Sequence, residues 1–215
     1  MKSVIWIVLF ELTLSVERQV MGTLCYYVAA SIDGFIAKED DSLDWLNHIP
    51  QHNSFVSLEG SANDIFEYHA FYKTVDVMMM GRRTFDVTMS FAEYPYPDKR
   101  AFVFSRNTSL RPEVAHQVTI TSRDPGEVAW MLKAETQGRI WLVGGGHLAS
   151  ELMTAGAVDE IILTLIPTLL GKGIRLFQDG NFESEWYRKD VIALDNGLTQ
   201  IRFLKKPEIK VRPLE

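Results

Sequence analysis

Apolar runs closed by glycine or proline recur along this chain, and their internal spacing alternates between that of strands and that of helices. Residues 23–30, TLCYYVAA, are aromatic and β-branched without a charge, which predicts a buried strand. Ser31-Ile32-Asp33-Gly34 breaks it as a turn, and Phe35-Ile36-Ala37 resumes briefly before the polar loop 38–42. Within residues 61–74, Ile65, Phe66, Tyr68, His69 and Tyr72 recur at three- to four-residue spacing. That predicts a helix capped by Ser61 or Asn63, with His69 packed on its apolar side. Residues 75–80, VDVMMM, form the next strand, followed by Gly81-Arg82-Arg83 and a helix that Thr84 can cap. Short strands are expected at 101–104 and 118–121. Asp124-Pro125-Gly126-Glu127 then has the acidic cap, early proline and following glutamate of a helix start. That helix turns Val128, Met131 and Leu132 inward, and Gly138 ends it.

Residues 139–167, RIWLVGGGHLASELMTAGAVDEIILTLIP, carry the clearest pattern. A strand at 140–143 stops at Gly144-Gly145-Gly146. A helix follows with Leu148, Leu152 and Ala155 on one side and Gly156 at its close, and a second strand covers 158–167. After a glycine turn at 169–173, the runs 186–194 and 198–204 flank Asp195-Asn196-Gly197, a strong hairpin signal. The fold class is therefore α/β: a central, mostly parallel sheet with flanking helices and a C-terminal antiparallel hairpin.

Composition narrows the function classes. The chain has 215 residues, enough for one domain with a full core. A net charge of −6 leaves no basic excess to neutralise a nucleic-acid backbone. The single Cys25 excludes an internal disulfide and a thiolate metal cluster, and its strand neighbours make it a small core residue. Five histidines show no HExxH or related spacing, so no metal is indicated. Residues 1–20 differ from the rest. The apolar run 4–10 is far shorter than the roughly 20 residues that span a bilayer, and no A-x-A-type cleavage site follows it. With Met21-Gly22-Thr23 reading as a natural start, residues 1–20 are expected to be an extension, with a secretory signal as the alternative. Residues 21–207 then form one domain and 208–215 a tail.

The candidate chemistry lies where strands end. Residues 75–80 run into Gly81-Arg82-Arg83-Thr84, residues 101–104 into Ser105-Arg106-Asn107-Thr108, and residues 140–143 into the three glycines. Open α/β sheets bind ligands outside the carboxyl ends of their strands, and backbone N–H groups, hydroxyls and guanidinium groups suit phosphate oxygens. Alone, Arg82 or Arg106 reads as a solvated charge, and the glycines as a tight turn. Their coincidence at three strand ends implies a ligand with several phosphates. Residues 144–149 also satisfy G-x-G-x-x-A, but the acidic residue expected about 20 positions on is replaced by Thr164 between two leucines. That argues against a Rossmann unit.

In this order YVAASIDGFIA, MGRRTF, VFSRN, LVGGGHLASEL and VDEIILTLIPTLLGKGIRLF resemble the dihydrofolate-reductase-like superfamily. Within it, residues 22–205 look most like the riboflavin-biosynthesis reductase domain and its stand-alone relatives. The resemblance implies an NADPH cleft. Ala30 and Ile36 would border the nicotinamide, and Gly81, Arg82, Arg83 and Thr84 would lie along the phosphates. Ser105 and Arg106 would meet the adenosine 2′-phosphate. Gly144, Gly145, Gly146, His147 and Leu148 would lie at the pyrophosphate. Trp45 reads either as a core aromatic or as a wall of the substrate cleft. There are departures: Asn47-His48-Ile49-Pro50-Gln51 supplies no carboxylate where dihydrofolate reductases carry one, Gly144 stands where riboflavin-pathway reductases carry a glutamate, and no deaminase-like stretch accompanies the domain. The expectation is an NADPH-dependent oxidoreductase passing a hydride to a small pteridine- or pyrimidine-like heterocycle or a carbonyl compound. The proton would come through water, Asp33 or Thr164. The alternative is a non-catalytic NADP-binding protein of the same fold. Its setting would be cytoplasmic, as a homodimer like many relatives, with a small molecule as partner and neither nucleic acid nor membrane.

Overall fold

The computed structural model describes residues 21–48, 55–59, 68–109, 117–194 and 196–207. The proposed extension 1–20, the expected helix start at 61–67, Asp195 and the tail from 208 lie outside the described residues. The strands are β1 (Thr23–Ser31), β2 (Phe35–Ala37), β3 (Phe55–Glu59), β4 (Val75–Gly81), β5 (Arg100–Phe104), β6 (Val118–Thr121), β7 (Arg139–Gly144), β8 (Glu160–Ile166), β9 (Ile174–Arg175), β10 (Trp186–Leu194) and β11 (Thr199–Lys205). The helices are α1 (Tyr68–Lys73), α2 (Arg82–Met89), α3 (Pro125–Glu135) and α4 (Gly146–Thr154), with a 3-10 turn at Asp44–His48.

Nine strands form one sheet in the order β3-β10-β11-β8-β1-β7-β4-β5-β6, while β2 and β9 pair separately. From β8 across to β6 every pairing is parallel, so these strands end along one edge. The hairpin β10–β11 joins antiparallel to β8, and β3 pairs antiparallel on its far side. Both faces are covered, which is why the central strands read as continuous apolar runs. On one face Leu24, Tyr26, Met79 and Leu142 meet Val128 and Leu132 of α3 and Leu148 and Leu152 of α4. On the other, Cys25, Met78, Met80 and Trp141 pack with Phe71, Phe85 and Tyr96.

Helix ends follow local chemistry. Asp124 caps α3, its carboxylate accepting from the Glu127 N–H at 2.9 Å, with Pro125 in the first turn. Other expected ends shift. α2 begins at Arg82 with Gly81 as its cap residue, so Thr84 sits inside the first turn instead of capping it. α3 stops at Glu135, and Gly138 donates its N–H to the Asp76 carboxylate at 2.9 Å. Ala155, expected inside, is the exposed final cap of α4. His69 is exposed, because Phe71 is the residue α1 buries and two positions along a helix is the opposite side.

At the amino ends of the parallel strands lies a buried ion cluster. Glu160 is fully buried on β8 and accepts from Arg139 Nε of β7 at 2.9 Å and from Arg202 Nε of β11. Arg202 also reaches Asp190 of β10 at 3.3 Å. The cluster ties four strands together at the edge opposite the glycine turns. Cys25 packs beside it, and burial, reinforced by the charge of Glu160, pushes its thiol well above the ordinary range.

Candidate functional site

A cleft of about 1070 Å³ runs along the carboxyl ends of the parallel strands. That volume is slightly above the usual range for one small ligand, roughly 300–1,000 Å³, and suits two molecules lying side by side. Its polar half is built from strand ends: Gly81 to Thr84 after β4, Ser105 to Asn107 after β5, Thr121 to Arg123 at β6, and Gly144 to Leu148 after β7. The three stretches singled out in the sequence thus meet in one cleft. The fourth, Ser122-Arg123, was missed. β6 lies beside β5, with the Ser105 N–H donating to the Thr121 carbonyl at 2.9 Å, so Arg106 and Arg123 leave adjacent strands. A signal was present, since the dipeptide Ser-Arg follows β5 and recurs after β6.

The arginines differ in their commitments. Arg82 Nε grips the Asp86 carboxylate at 2.7 and 2.8 Å along α2, and Arg83 Nε lies 3.7 Å from Asp41. Arg123 Nη1 contacts the Met131 sulfur at 3.6 Å, and Arg106 is exposed without an ion pair among the described residues. Four guanidinium groups along one cleft make its polar half positive within an acidic chain.

The other half is apolar. Its lining includes Tyr27, Val28 and Ala29 of β1, Trp141, Tyr96, Val87 and Phe91, and Leu43 and Leu46. Ile36 lies on the wall, but Ala30 does not. It is fully buried, and its neighbour Ala29 takes the place on the wall. Trp45 is also buried, off the wall, with its indole N–H unpartnered among the described residues; Leu43 and Leu46 flank it on the wall instead.

Asp33 and Thr164, the candidate proton donors, sit outside the lining in hydrogen-bond networks. The Asp33 carboxylate accepts from Ser31 Oγ at 2.6 Å and from the N–H groups of Leu170 and Gly171 at 3.2 and 2.7 Å. The Ser31 hydroxyl first, and then the two N–H groups, hold its pKa below the ordinary carboxylate value. It fastens the β1–β2 turn to the loop after β8. Thr164 Oγ1 accepts from Gln200 Nε2 at 2.8 Å.

The three glycines after β7 serve different ends. Gly144 has φ +144°, which a side chain disfavours. A Cβ on Gly146 would lie 2.2 Å from the Arg175 carbonyl oxygen, so packing alone requires glycine there. Gly145 has φ −96° and ψ −170°, open to any residue, and a Cβ there would meet only Thr84 Oγ1 at 3.5 Å, an ordinary contact. The fold leaves room for a side chain at 145, on the cleft wall at the start of α4. What that side chain would occupy is the space above the helix N-terminus, where backbone N–H groups and the helix dipole favour an anion. The residues present therefore fit a phosphorylated cofactor.

Residues 23–200 match the RibD C-terminal domain family. The uncharacterized protein YwjB of Bacillus subtilis (strain 168) is 37% identical over 154 residues, 71% of this chain and 81% of that protein. A putative riboflavin biosynthesis protein from Shewanella sp. PV-4 superposes with a TM-score of 0.73 at 25% identity, over 86% of this chain and 99% of the other. Dihydrofolate reductase from Enterococcus faecalis, complexed with NADP(H), superposes with a TM-score of 0.58 at 18% identity, over 87% and 98% of the two chains. At that identity the likeness is one of fold, and it establishes the sheet as dihydrofolate-reductase-like. With the profile match spanning nearly all of the described sheet, this chain belongs to the RibD C-terminal domain family.

Proposed function

We propose that this protein is an NADPH-dependent reductase acting on a small molecule. The observation that carries the reading is Gly145, whose φ, ψ and nearest neighbours would accept a Cβ, on the cleft wall at the start of α4. Gly145, Gly146 and the α4 N-terminus would hold the pyrophosphate, and Gly81 to Thr84 the neighbouring phosphates. Ser105, Arg106 and Arg123 would take the adenosine 2′-phosphate. Ile36 and Ala29 would border the nicotinamide next to the apolar half. When bound, reduced nicotinamide supplies a hydride. The chain's own contribution is to fix that ring against the substrate and keep water out. Family and fold support this reading: the Shewanella relative carries the description putative riboflavin biosynthesis protein, and the Enterococcus dihydrofolate reductase is a complex with NADP(H).

Gly145→Ala tests this directly. The alanine methyl has room in the fold, so the melting temperature should stay within about 4 °C of wild type, the shift of roughly 1 kcal/mol in a chain this size. NADPH affinity, read by nucleotide fluorescence, should fall at least tenfold. Equal affinities in the two proteins, or no NADPH binding by wild type, would sink the reading.

A further inference from the structure

The loop between α2 and β5 contains Tyr94-Pro95-Tyr96-Pro97, a tyrosine set between two prolines. A proline fixes its own φ and holds the residue before it extended, so Pro95 and Pro97 restrict the backbone on either side of Tyr96. The Tyr96 carbonyl also accepts from the Lys99 N–H at 3.3 Å. The ring is held as firmly as the backbone. Its centroid lies 5.4 Å from that of Trp141 with the planes at 79°, 5.7 Å from Tyr94 at 85°, and 6.3 Å from Tyr72 at 30°. Only 9% of Tyr96 is exposed, and the residue is part of the cleft wall.

Its hydroxyl differs from the other polar groups of this aromatic cluster. The Trp141 indole N–H donates to the Tyr27 carbonyl at 3.2 Å, and the Tyr72 hydroxyl donates to the Asp98 carboxylate. Tyr94 Oη is sealed in without a partner. The Tyr96 hydroxyl has no hydrogen-bond partner among the described residues and, unlike Tyr94 Oη, is not sealed in. Burial first, and then the neighbouring Tyr68 and Tyr94, push its pKa above the ordinary phenol value, so it stays protonated and able to donate. A fixed ring with an uncommitted O–H on a cleft wall is pre-organised to bind an acceptor. Trp141 is 5% exposed and lines the same wall, so the two rings form a near-perpendicular corner. A flat ring laid against one meets the edge of the other, and both contacts are among those that aromatic pairs prefer.

We propose that Tyr96 determines substrate specificity: its hydroxyl donates a hydrogen bond to a carbonyl oxygen or ring nitrogen of an aromatic ring system seated against Trp141. The proposal rests on the reading of the cleft as an NADPH site, with the ring in the half that the nucleotide leaves free. Tyr96 holds the substrate and transfers neither hydride nor proton. Selectivity follows from what is left unpaired. A ring with an acceptor completes the Tyr96 O–H, whereas the same ring without one displaces water from it and puts nothing in its place.

Quinoline and naphthalene are suitable probes, being the same flat bicycle with and without a ring nitrogen. Wild type, Tyr96→Phe and Tyr94→Phe are first titrated with NADPH by nucleotide fluorescence. No binding by wild type refutes the cofactor reading itself, whereas binding in all three lets the rings be titrated on the NADPH-saturated proteins by saturation-transfer NMR. Tyr96→Phe should weaken quinoline about fivefold, the worth of one neutral hydrogen bond, and bind naphthalene at least as tightly as wild type does. Tyr94→Phe removes a hydroxyl that no ligand reaches, and should leave both affinities within about twofold of wild type. Both variants keep their ring contacts, so neither should melt more than about 3 °C below wild type. The nitrogen resonance of quinoline should move upfield on the wild-type complex, as it does on accepting a hydrogen bond, and lose that shift on Tyr96→Phe. The proposal is overturned if the wild-type NADPH complex binds neither ring, or if Tyr96→Phe keeps its full affinity for quinoline. It is equally overturned if Tyr96→Phe loses naphthalene as much as quinoline, the mark of a merely structural tyrosine. Should that variant fail to fold, an unmoved nitrogen resonance on wild type overturns the proposal by itself, and an upfield move supports it.

Discussion

Replacing Glu160 with leucine separates what holds the sheet together from what the cleft does. The Glu160 side chain is fully buried, and the Arg139 and Arg202 side chains that serve it are 18% and 17% exposed. Removing one member of a buried ion cluster leaves the others charged in a poor solvent, which typically costs about 3–5 kcal/mol. Here Arg202 keeps Asp190 at 3.3 Å and Arg139 keeps Thr74 Oγ1 at 3.1 Å, so the lower end, about 3 kcal/mol, applies. In a chain of this length each kcal/mol moves the melting temperature by about 2–4 °C, giving a fall of about 6–12 °C. Urea unfolding should show the same loss with an unchanged slope. A triple variant, Arg139→Met with Glu160→Leu and Arg202→Met, should recover most of it, because exchanging an entire buried cluster for apolar side chains is often neutral. NADPH affinity should be unaffected in both, since the cluster lies at the amino ends of strands whose carboxyl ends form the cleft. A loss below about 1 kcal/mol in Glu160→Leu, or a triple variant no better than the single, would refute the account.

Three further outcomes are expected. Arg106→Ala should weaken NADPH about ten- to hundredfold, the worth of one hydrogen bond to a charged group, and NADH less than threefold; equal losses would remove Arg106 from the 2′-phosphate. Asp33 has a lowered pKa, caused first by the Ser31 hydroxyl, so its stabilising effect is complete above the unfolded carboxylate range and is lost as pH falls through the folded value. Asp33→Asn should therefore be less stable than wild type at pH 7, with the gap narrowing below about pH 4 in urea titrations; a gap independent of pH would contradict the turn-fastening role. Cys25 is fully buried with its thiol pushed up by burial, so a disulfide reagent should label it only at the rate of unfolding. Rapid labelling of native protein would show that β1 opens locally.

How much of this was written in the chain depends on whether a feature is local. The glycine and arginine strand ends are local: an apolar run must stop, and the residues that stop it name the chemistry of the edge. The order of elements around 139–167 is local too, and the strand-helix-strand unit stands as read. The side of the sheet that a residue faces is not. Residues 23–30 are apolar throughout because both faces of β1 are covered, so their pattern has no phase, and Ala30 was placed on the wall that Ala29 lines. The polar group beside the apolar half was equally out of reach. Gln200 joins Thr164 and Tyr27 across 36 and 173 positions, and in sequence it was one polar letter in a hairpin strand. The glycines show the limit best. Three in a row announce a tight turn with backbone exposed, but as letters they are identical. Only the neighbours of each missing Cβ divide them: Gly146 answers to the Arg175 carbonyl and Gly144 to its own backbone angle, which leaves Gly145 answering to whatever the cleft holds.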